Sequence, residues 1–475
     1  MSTTEPNLSI SNPHPEDTDV IQKVALVVAC FGVLILLAAW ANVALDAAVF
    51  MPIAIISMIG GTTVYGARSY LKQPEGIKNN GVWHFSLTSR GALAWAVGIL
   101  LTGFYILLYW FPGYVGFVQS GENQGLVALF DPLSMAIKGR PASQWFMYGT
   151  LYTIAILALG MKFIFKYRHN RYQLIRTISV MIAQLVFAYT IPEILAALNY
   201  NDVTTTAGEY AGYYDADIKN VWPLDYDFFY SYHLDAMQEE AYQPVGMIYL
   251  IAGMALFLVG TPVLTYLIGK RWYCSWVCGC GGLAETAGDP FRHLSSKKLG
   301  AWKLERWLIH SVMIFVFVMT AVTLYGYFTG TSSVFGLDIY SKFQKPYGFF
   351  IGAIFSGIIG VGFYPMLGNR VWCRFGCPMA GYMGIIQRFK SKFRITTNGG
   401  QCISCGNCST YCEQGIDVRA YAQKGQNIVR ASCVGCGVCS AVCPRGVLKL
   451  ENGPEEKRYD LPPIIIGNES VKISD

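Results

Sequence analysis

The chain has 475 residues, of which 53% are hydrophobic and only 14% are charged. A soluble globular domain carries roughly 25% charged residues, so this composition excludes a protein that faces water on all sides. The net charge of +6 does not require a nucleic-acid partner, because basic residues gather beside membrane spans.

Eight stretches are long and apolar enough to cross a bilayer, since about twenty apolar residues span a ~30 Å hydrocarbon core. They cover residues 20–43, 47–65, 91–111, 145–165, 174–198, 244–268, 304–328 and 347–367. An acidic tail precedes the first stretch, whereas a cleavable signal peptide has a basic start, so we expect a retained membrane helix. Lys and Arg cluster after the second, fourth, sixth and eighth stretches. The positive-inside rule then predicts a multi-pass protein of a bacterial inner membrane, with both termini cytoplasmic.

The predicted outer loop, residues 199–243, has an unusual composition. It carries nine Asp and Glu residues, one Lys and eight Tyr residues. A loop of this length is expected to fold over the outer face rather than hang free. Two interpretations stay open: a docking surface for a partner, because Tyr is enriched at interfaces, or a lid over the helix ends.

A short motif occurs twice, as GKRWYCSWVCG at 269–279 and as GNRVWCRFGCP at 368–378. Both copies read G-x-R-x-x-C-x3-C and both follow a predicted span, so their thiolates could meet beneath the bundle and hold a further cluster or a metal. The candidate ligands are Cys274, Cys278, Cys280, Cys373 and Cys377. Arg271 and Arg370 would offset the negative charge of such a site. Alternatively, each pair serves redox exchange or is a structural relic.

The densest cysteine pattern lies between residues 402 and 443, where C-x2-C-x2-C-x3-C occurs twice. In two-cluster ferredoxins the fourth Cys of each run ligates the other cluster. On that pattern one [4Fe-4S] cluster is held by Cys402, Cys405, Cys408 and Cys443, and the second by Cys412, Cys433, Cys436 and Cys439. Structural zinc, the alternative, uses separated Cys pairs. Gly406, Gly435 and Gly437 suit tight turns around a cluster. Glu413 departs from the pattern, because Pro is expected after Cys412.

The two C-x3-C elements followed by the doubled cysteine run resemble the polyferredoxin membrane proteins of the NapH, NosR and CcoG type. The resemblance covers about residues 244–452. It implies iron-sulfur electron transfer, and the group includes quinol-linked subunits, an electron donor for nitrous-oxide reductase and a copper reductase. NosR-type members add an outer flavin domain, but the sequence TTTAGEY at 204–210 does not fit a covalent-flavin motif, so no flavin is predicted.

Three further features of the sequence are candidates for a functional site. GCGGLA at 279–284 imitates a dinucleotide-binding glycine pattern, but no strand or βαβ unit surrounds it. Of the six His residues only His310 lies inside a predicted span, so the two axial ligands of a bis-His haem are lacking and no haem is predicted. Glu193 lies in the fifth span, where an ionisable group is often functional. It is a weak catalytic candidate as a proton acceptor from a quinol, or else an interfacial residue; no catalytic residue is otherwise assigned.

The sequence therefore predicts an α-helical polytopic membrane protein with a small cytoplasmic α+β dicluster ferredoxin domain. The predicted units are 1–19 (tail), 20–198 (five-helix region), 199–243 (loop), 244–394 (three-helix core with both C-x3-C elements), 395–452 (dicluster domain) and 453–475 (tail). The expected function is electron transfer between the quinone pool and a partner redox protein or other subunits of a membrane complex. Two alternatives are a copper reductase or respiratory-complex assembly factor, and a non-catalytic iron-sulfur anchor subunit.

Overall fold

The structure is a computed structural model that describes residues 18–71, 85–119, 121–202, 222–224, 227–231, 234–235, 245–398 and 401–452. Within these residues, eight helices are long and apolar enough to cross a membrane. They are Val20–Trp40, Ala47–Tyr70, Ala92–Trp110, Gln144–Lys166, Arg171–Leu195, Leu250–Leu267, Leu299–Thr329 and Tyr340–Gly362, called spans one to eight below. Each overlaps one predicted stretch, so the predicted polytopic helical fold is confirmed.

The outer surfaces of the spans are apolar, as expected for side chains in contact with lipid. Leu100 of span three is 69% exposed and Val27 of span one is 67% exposed. In water, apolar exposure on this scale would mark a binding surface or an aggregation site. Here it follows the helices around the bundle, because lipid is the solvent on that side.

Small residues let the first two spans approach closely. A Cβ atom added to Gly32 would lie 2.6 Å from the carbonyl oxygen of Ala54, and one added to Gly61 would lie 2.6 Å from that of Ala25. Membrane helices associate through such small-residue contacts, because lipid provides no hydrophobic drive between them. Span two also packs on span four, and span three packs on span eight.

Three spans are not regular α-helices throughout. π-helical stretches occur at Ala183–Thr190, Leu256–Gly260 and Tyr347–Ile359. The first two are followed within two residues by Pro192 and Pro262, which lack the backbone N–H that would continue the α-helical pattern. The helix that contains span five continues to Asp202, and the helix that contains span six begins at Val245.

Short elements connect the spans. The shorter helices in the described part of the chain are Phe85–Thr88, Pro112–Val115, Gly125–Ala128, Asp131–Lys138, Trp272–Trp276, Gly279–Thr286, Asp289–Leu294, Tyr364–Leu367, Trp372–Gly376, Pro378–Phe389, Asn407–Thr410, Val418–Gln423 and Val438–Ala441. After span seven, strands β1 (Ser333–Val334) and β2 (Leu337–Asp338) form a small antiparallel hairpin.

The C-terminal domain is built on a second antiparallel pair, β3 (Phe393–Thr397) and β4 (Leu448–Asn452), with Ile395 opposite Leu450. These strands join the two ends of the cysteine-rich segment, which folds between them with three short helices. Ile416, Ile428 and Leu448 are at most 3% exposed and form its core together with cysteine side chains. The predicted small α+β domain is confirmed.

Part of the predicted outer loop lies within the described residues, and it packs on the helices. Trp222 is 6% exposed, its ring lies 4.5 Å from that of Phe257, and its indole N–H donates to Thr320 at 2.9 Å. Phe228 and Phe229 are buried beside it. This part of the loop packs against residues of spans six and seven, and both interpretations of the loop stay predictions. Tyr213, Tyr214 and Tyr232, which suggested a docking surface, lie outside the described residues.

Candidate functional site

Two cavities in the C-terminal domain divide its eight cysteines into two sets. The first cavity is lined by Cys402, Cys405, Cys408 and Cys443. The second is lined by Cys412, Cys433, Cys436 and Cys439. The fold thus brings together the two sets that the spacing predicts, including the crossed fourth residue of each run. Four thiols around a cavity are the donor set that a [4Fe-4S] cluster requires.

Glycines with positive φ shape the backbone around both cavities. Gly406 and Gly437 occupy equivalent positions in the two runs, with φ of 79° and 71°, and each precedes a short helix. Gly435 also has a φ of 71°. Only glycine adopts this region at little cost, so the expectation of tight turns at these three positions is confirmed.

Among the cysteines of the second cavity, Cys433 and Cys439 are buried, and Cys412 and Cys436 are half-buried. Burial raises the pKa of Cys412 to about 11 and that of Cys436 to about 12. The Cys412 sulfur also accepts a hydrogen bond from the Ile416 N–H at 3.4 Å. Metal ligands must be deprotonated, so loading this cavity would release protons from its thiols.

The second cavity is docked on the membrane core through backbone carbonyls of the segment 428–436. The Tyr172 hydroxyl donates to the Gly435 oxygen at 2.8 Å, and the Ser275 hydroxyl donates to the Val434 oxygen at 2.9 Å. Lys270 donates to the Ile428 oxygen at 3.1 Å. Donors from span five and from the first C-x3-C element therefore fix the second cavity against the helix ends.

The two C-x3-C elements meet, and four of their thiols form one buried group. Cys274, Cys278, Cys373 and Cys377 are 2%, 8%, 3% and 4% exposed. The Cys274 and Cys373 side chains are hydrogen-bonded to each other, and Cys278 and Cys377 lie within electrostatic range. Cys280 is only partly buried and lies near Tyr105, Tyr148, Tyr152 and Tyr364. The fifth predicted ligand therefore has different surroundings from the other four.

The arginine of each motif crosses to the opposite motif. Arg271 donates to the Cys373 oxygen at 2.7 Å, and Arg370 donates to the Cys274 oxygen at 2.9 Å. Both side chains are at most 2% exposed. This reciprocal exchange gives the repeat a pseudo-twofold arrangement and places two positive charges beside the four thiols.

Glu413 links the C-terminal domain to this core. It is 1% exposed and contacts Arg292 at 2.8 Å and Arg370 at 3.1 Å. Burial alone would raise the pKa of Glu413, but the guanidinium groups of Arg292 and Arg370 outweigh burial and lower it to about 2. The departure from the cysteine motif is therefore an ion-pairing residue between the two units of the protein.

Further buried ion pairs surround Glu413. Arg176 forms two hydrogen bonds to Glu285. Asp289 contacts Lys166 at 2.8 Å and Arg292 at 2.9 Å. Burial opposes ionisation of Asp289, yet these cations lower its pKa. Together the group contains four cations and three carboxylates: Lys166, Arg176, Arg292, Arg370, Glu285, Asp289 and Glu413. Its excess positive charge suits a neighbouring centre that is anionic because thiolates ligate it.

The glycine-rich stretch 279–284 forms the helix Gly279–Thr286, which follows the short helix Trp272–Trp276 rather than a strand. A Cβ on Gly281 would lie 1.9 Å from the Cys274 oxygen, and one on Gly282 would lie 2.3 Å from a Val180 methyl group. These glycines permit close packing beside the thiols, in agreement with the rejection of a dinucleotide site.

The remaining candidates lie apart from the thiols. The Lys138 ammonium group contacts Glu193 at 2.6 Å, and Lys138 is 7% exposed. This ion pair between a short helix and span five gives Glu193 a structural role, and its role as a proton acceptor stays a prediction. His310 Nδ1 lies 2.5 Å from the Arg306 carbonyl oxygen one turn earlier.

Among the described residues, no three His, Cys, Asp or Glu side chains converge on one point as ligands of a single metal ion would. In the C-terminal domain the thiols instead surround two cavities. Sequence reasoning missed the carboxylates Glu285, Asp289 and Glu305. Only Glu413 carried a signal, because it stands where a proline was expected. Glu285 and Glu305 lie far along the chain from their partners, as Asp289 does from Lys166.

Comparisons with known proteins identify the same two regions. A 4Fe-4S binding domain matches residues 251–301 and 347–396, and a 4Fe-4S dicluster domain matches residues 394–444. The first pair of matches includes both C-x3-C elements, and the third includes all eight cysteines of the C-terminal domain.

The chain is also similar to curated electron-transport and ferredoxin-type proteins. The chain is 28% identical over 177 residues to a putative electron transport protein, YccM, of Escherichia coli, covering 35% of this chain and 48% of that protein. It is 27% identical over 172 residues to the methylamine utilization ferredoxin-type protein MauN of Paracoccus denitrificans, covering 34% and 56%. The chain thus spans about half the length of the curated relatives it matches. No solved structure matches. The chain therefore matches 4Fe-4S binding domains at residues 251–301, 347–396 and 394–444 and is similar to ferredoxin-type electron transport proteins, and the predicted resemblance to polyferredoxin membrane proteins is confirmed.

Proposed function

We propose that this protein passes electrons between the membrane quinone pool and a partner redox protein, through two [4Fe-4S] clusters in the C-terminal domain. The observation that carries the proposal is the division of eight cysteines between two cavities, one set of four in each. Clusters bound there would take up and release single electrons. The chain's own contribution is to ligate them, shield them from water and hold the second one against the membrane core.

The four buried thiols of the C-x3-C elements are proposed as a third site, for a cluster or a metal. Their support is burial below 9% and the contact between Cys274 and Cys373. Arg271 and Arg370 bring positive charge from both sides, which lowers the energy of thiolates in a low-dielectric site. Cys280 is left out of this proposed ligand set because of its tyrosine surroundings.

The proposed third site and the second cavity share their supporting residues. Arg271 donates both to the Cys373 oxygen and, at 2.9 Å, to the Ala431 oxygen, two residues before Cys433. Ser275, which follows Cys274, donates to the Val434 oxygen. Such contacts keep the two sites at a fixed separation, which is what electron transfer between them needs.

The membrane part supports a link to a lipid-soluble carrier. Clusters at one end of the bundle cannot carry electrons across a ~30 Å apolar barrier, so a membrane-soluble donor or acceptor is the simplest partner. The distribution of Lys and Arg supports an inner-membrane protein with the C-terminal domain in the cytoplasm. The direction of electron flow is left open, because cluster potentials depend strongly on their surroundings.

The test is iron and sulfide analysis with EPR on anaerobically purified protein in detergent, titrated with a quinol analogue. About eight irons per chain are expected for two cubes and about twelve if the C-x3-C thiols hold a third. Quinol should change the oxidation state of the clusters. If the clusters are intact but neither quinol reduces them nor quinone oxidises them, at any starting potential of the sample, the proposed link to the quinone pool is wrong.

The buried thiol group also favours a second candidate, the one-electron reduction of a copper ion by thiols of Cys274, Cys278, Cys373 and Cys377, which would have to converge further to ligate one ion together. Soft thiolate ligands select Cu(I). A reduced [4Fe-4S] cluster in the adjacent second cavity would provide the electron and become oxidised. Replacing these four cysteines by Ser should then abolish copper reduction while about eight irons stay bound. If the quadruple variant loses four irons and wild-type protein binds no copper, this candidate is wrong.

A further inference from the structure

A cavity of about 440 Å³ lies outside the thiol sites, where the membrane helices meet the C-terminal domain. Span seven contributes Trp302, Arg306 and His310, the helix Pro378–Phe389 contributes Arg388, and the C-terminal domain contributes Arg430. Its size is within the range of ligand pockets in proteins, about 300–1,000 Å³. None of the functions proposed above uses it.

The wall of this cavity has unbalanced positive charge. Arg271, Arg306, Arg388 and Arg430 all line it, and among its described lining residues the only carboxylate is Glu305. Glu305 is already paired with Arg374 at 2.7 Å, with both side chains at most 6% exposed. Arg306, Arg388 and Arg430 contact no carboxylate within the described part of the chain. An anion in the cavity would therefore meet guanidinium groups that lack a counter-charge.

Two of these arginines are held in place by one indole ring. The guanidinium of Arg430 lies 4.4 Å and that of Arg306 lies 5.4 Å from the centre of the Trp302 ring. Cation–π contacts favour each arrangement separately. Two like charges near one ring repel each other, and an anion within reach of both would relieve the repulsion. Guanidinium groups bind phosphate oxygens in a bidentate manner, which makes phosphate a suitable anion.

The position of the cavity points to lipid as the source of that phosphate. Span seven has 31 residues, or about 46 Å of helix, which exceeds a ~30 Å hydrocarbon core, so its ends extend into the head-group layers. Phe389, which lines the cavity, is 75% exposed, and Trp307, which follows Arg306 in span seven, is 78% exposed. Exposed aromatic side chains at a helix end are typical of the membrane–water interface.

We propose that this cavity binds the phosphate of an anionic phospholipid head group, with the acyl chains leaving past the exposed ring of Phe389. Basic pockets between membrane helices bind such head groups in other proteins. Because Arg430 belongs to the C-terminal domain and Arg306 to span seven, one bound lipid would contact both units. Lipid binding would then stabilise the docked position of the C-terminal domain, since a ligand favours the state that binds it.

The test uses the full-length, cluster-loaded protein in nanodiscs of phosphatidylcholine with increasing fractions of phosphatidylglycerol. The readouts are lipid retained after delipidation, by native mass spectrometry, and the temperature at which the cluster absorbance is lost. The test variant is Arg306→Gln with Arg430→Gln. The matched control is Lys303→Gln with Lys424→Gln, which removes the same charge from the same helix and the same domain at exposed positions outside the cavity.

We expect wild-type protein and the control variant to retain phosphatidylglycerol and to melt at a higher temperature as its fraction rises. The test variant should lose tenfold or more in apparent affinity. Equal behaviour in phosphatidylcholine and phosphatidylglycerol overturns the proposal, even if the variant fails to fold. Inorganic phosphate that competes at millimolar concentration indicates a free-anion site instead. A neutral quinone that displaces the lipid, or a control variant that loses as much affinity as the test variant, also overturns it.

Discussion

Glu413→Gln is the most informative single substitution, because Glu413 joins the C-terminal domain to the membrane core without ligating a cluster. The change keeps the shape of the side chain and removes its charge. Glu413 and its two guanidinium partners are at most 1% exposed. In the buried group, four cations would then face two carboxylates instead of three. We expect the docking of the C-terminal domain to weaken while the iron content stays unchanged.

The magnitude follows from burial. Removing one partner of a buried ion pair costs about 3–5 kcal/mol, because the remaining charge stays desolvated. Since each 1.4 kcal/mol is a factor of ten, the opening equilibrium of the interface should rise by roughly a hundredfold or more. The same substitution at an exposed carboxylate should cost almost nothing. Glu122→Gln provides that control, because Glu122 is exposed.

Hydrogen exchange of the amides in 289–296 and 410–416 measures this opening directly, since exchange reports local unfolding free energies. Cluster-loaded protein in nanodiscs should exchange faster in Glu413→Gln than in wild type or Glu122→Gln. Combining Glu413→Gln with Arg292→Gln should cost less than the sum of the two single changes, because the residues interact. Unchanged exchange in Glu413→Gln, or strictly additive costs in the double variant, would refute the buried-pair reasoning.

Other consequences can be checked together. Cys274→Ser should remove about four irons per chain if the helix ends hold a cube, whereas Cys30→Ser, in span one, should remove none; metal analysis decides. Asp289→Asn should lower the free energy of unfolding by about 3–5 kcal/mol, because its two buried cationic partners lose their carboxylate. Thermal denaturation in detergent measures this loss, and a much smaller loss would contradict the prediction. Trp222→Ala should lower the free energy of unfolding by about 3–5 kcal/mol, because the packing of a buried indole ring is lost. Its iron content should stay unchanged. Chelation of iron under anaerobic conditions should unfold residues 393–452, because so small a domain has little core of its own; persistent slow exchange in β3 and β4 would contradict this.

Features that depend on local pattern could be predicted from the amino-acid sequence alone. Apolar length predicted eight membrane helices, because only the bilayer thickness decides how many apolar residues are needed. The predicted and observed ends of a helix differ where charged and aromatic residues let it extend beyond the apolar core. Span seven begins at Leu299, whereas the predicted stretch began at residue 304. Cysteine spacing predicted the two sets of four in the C-terminal domain, since the covalent chain leaves short loops few ways to surround a cube.

Contacts between distant parts of the chain could not be predicted in this way, because they arise when the helices pack. Glu413 pairs with Arg292 and Arg370, and Arg271 and Arg370 each donate a hydrogen bond to the opposite C-x3-C motif. These contacts depend on how spans six, seven and eight and the C-terminal domain pack together. In sequence Glu413 shows only that a proline is replaced, and Arg271 and Arg370 show only that they recur in a motif; no pattern names their partners. Burial separates them from the solvated charges, and burial is a property of the packed bundle that no local pattern contains.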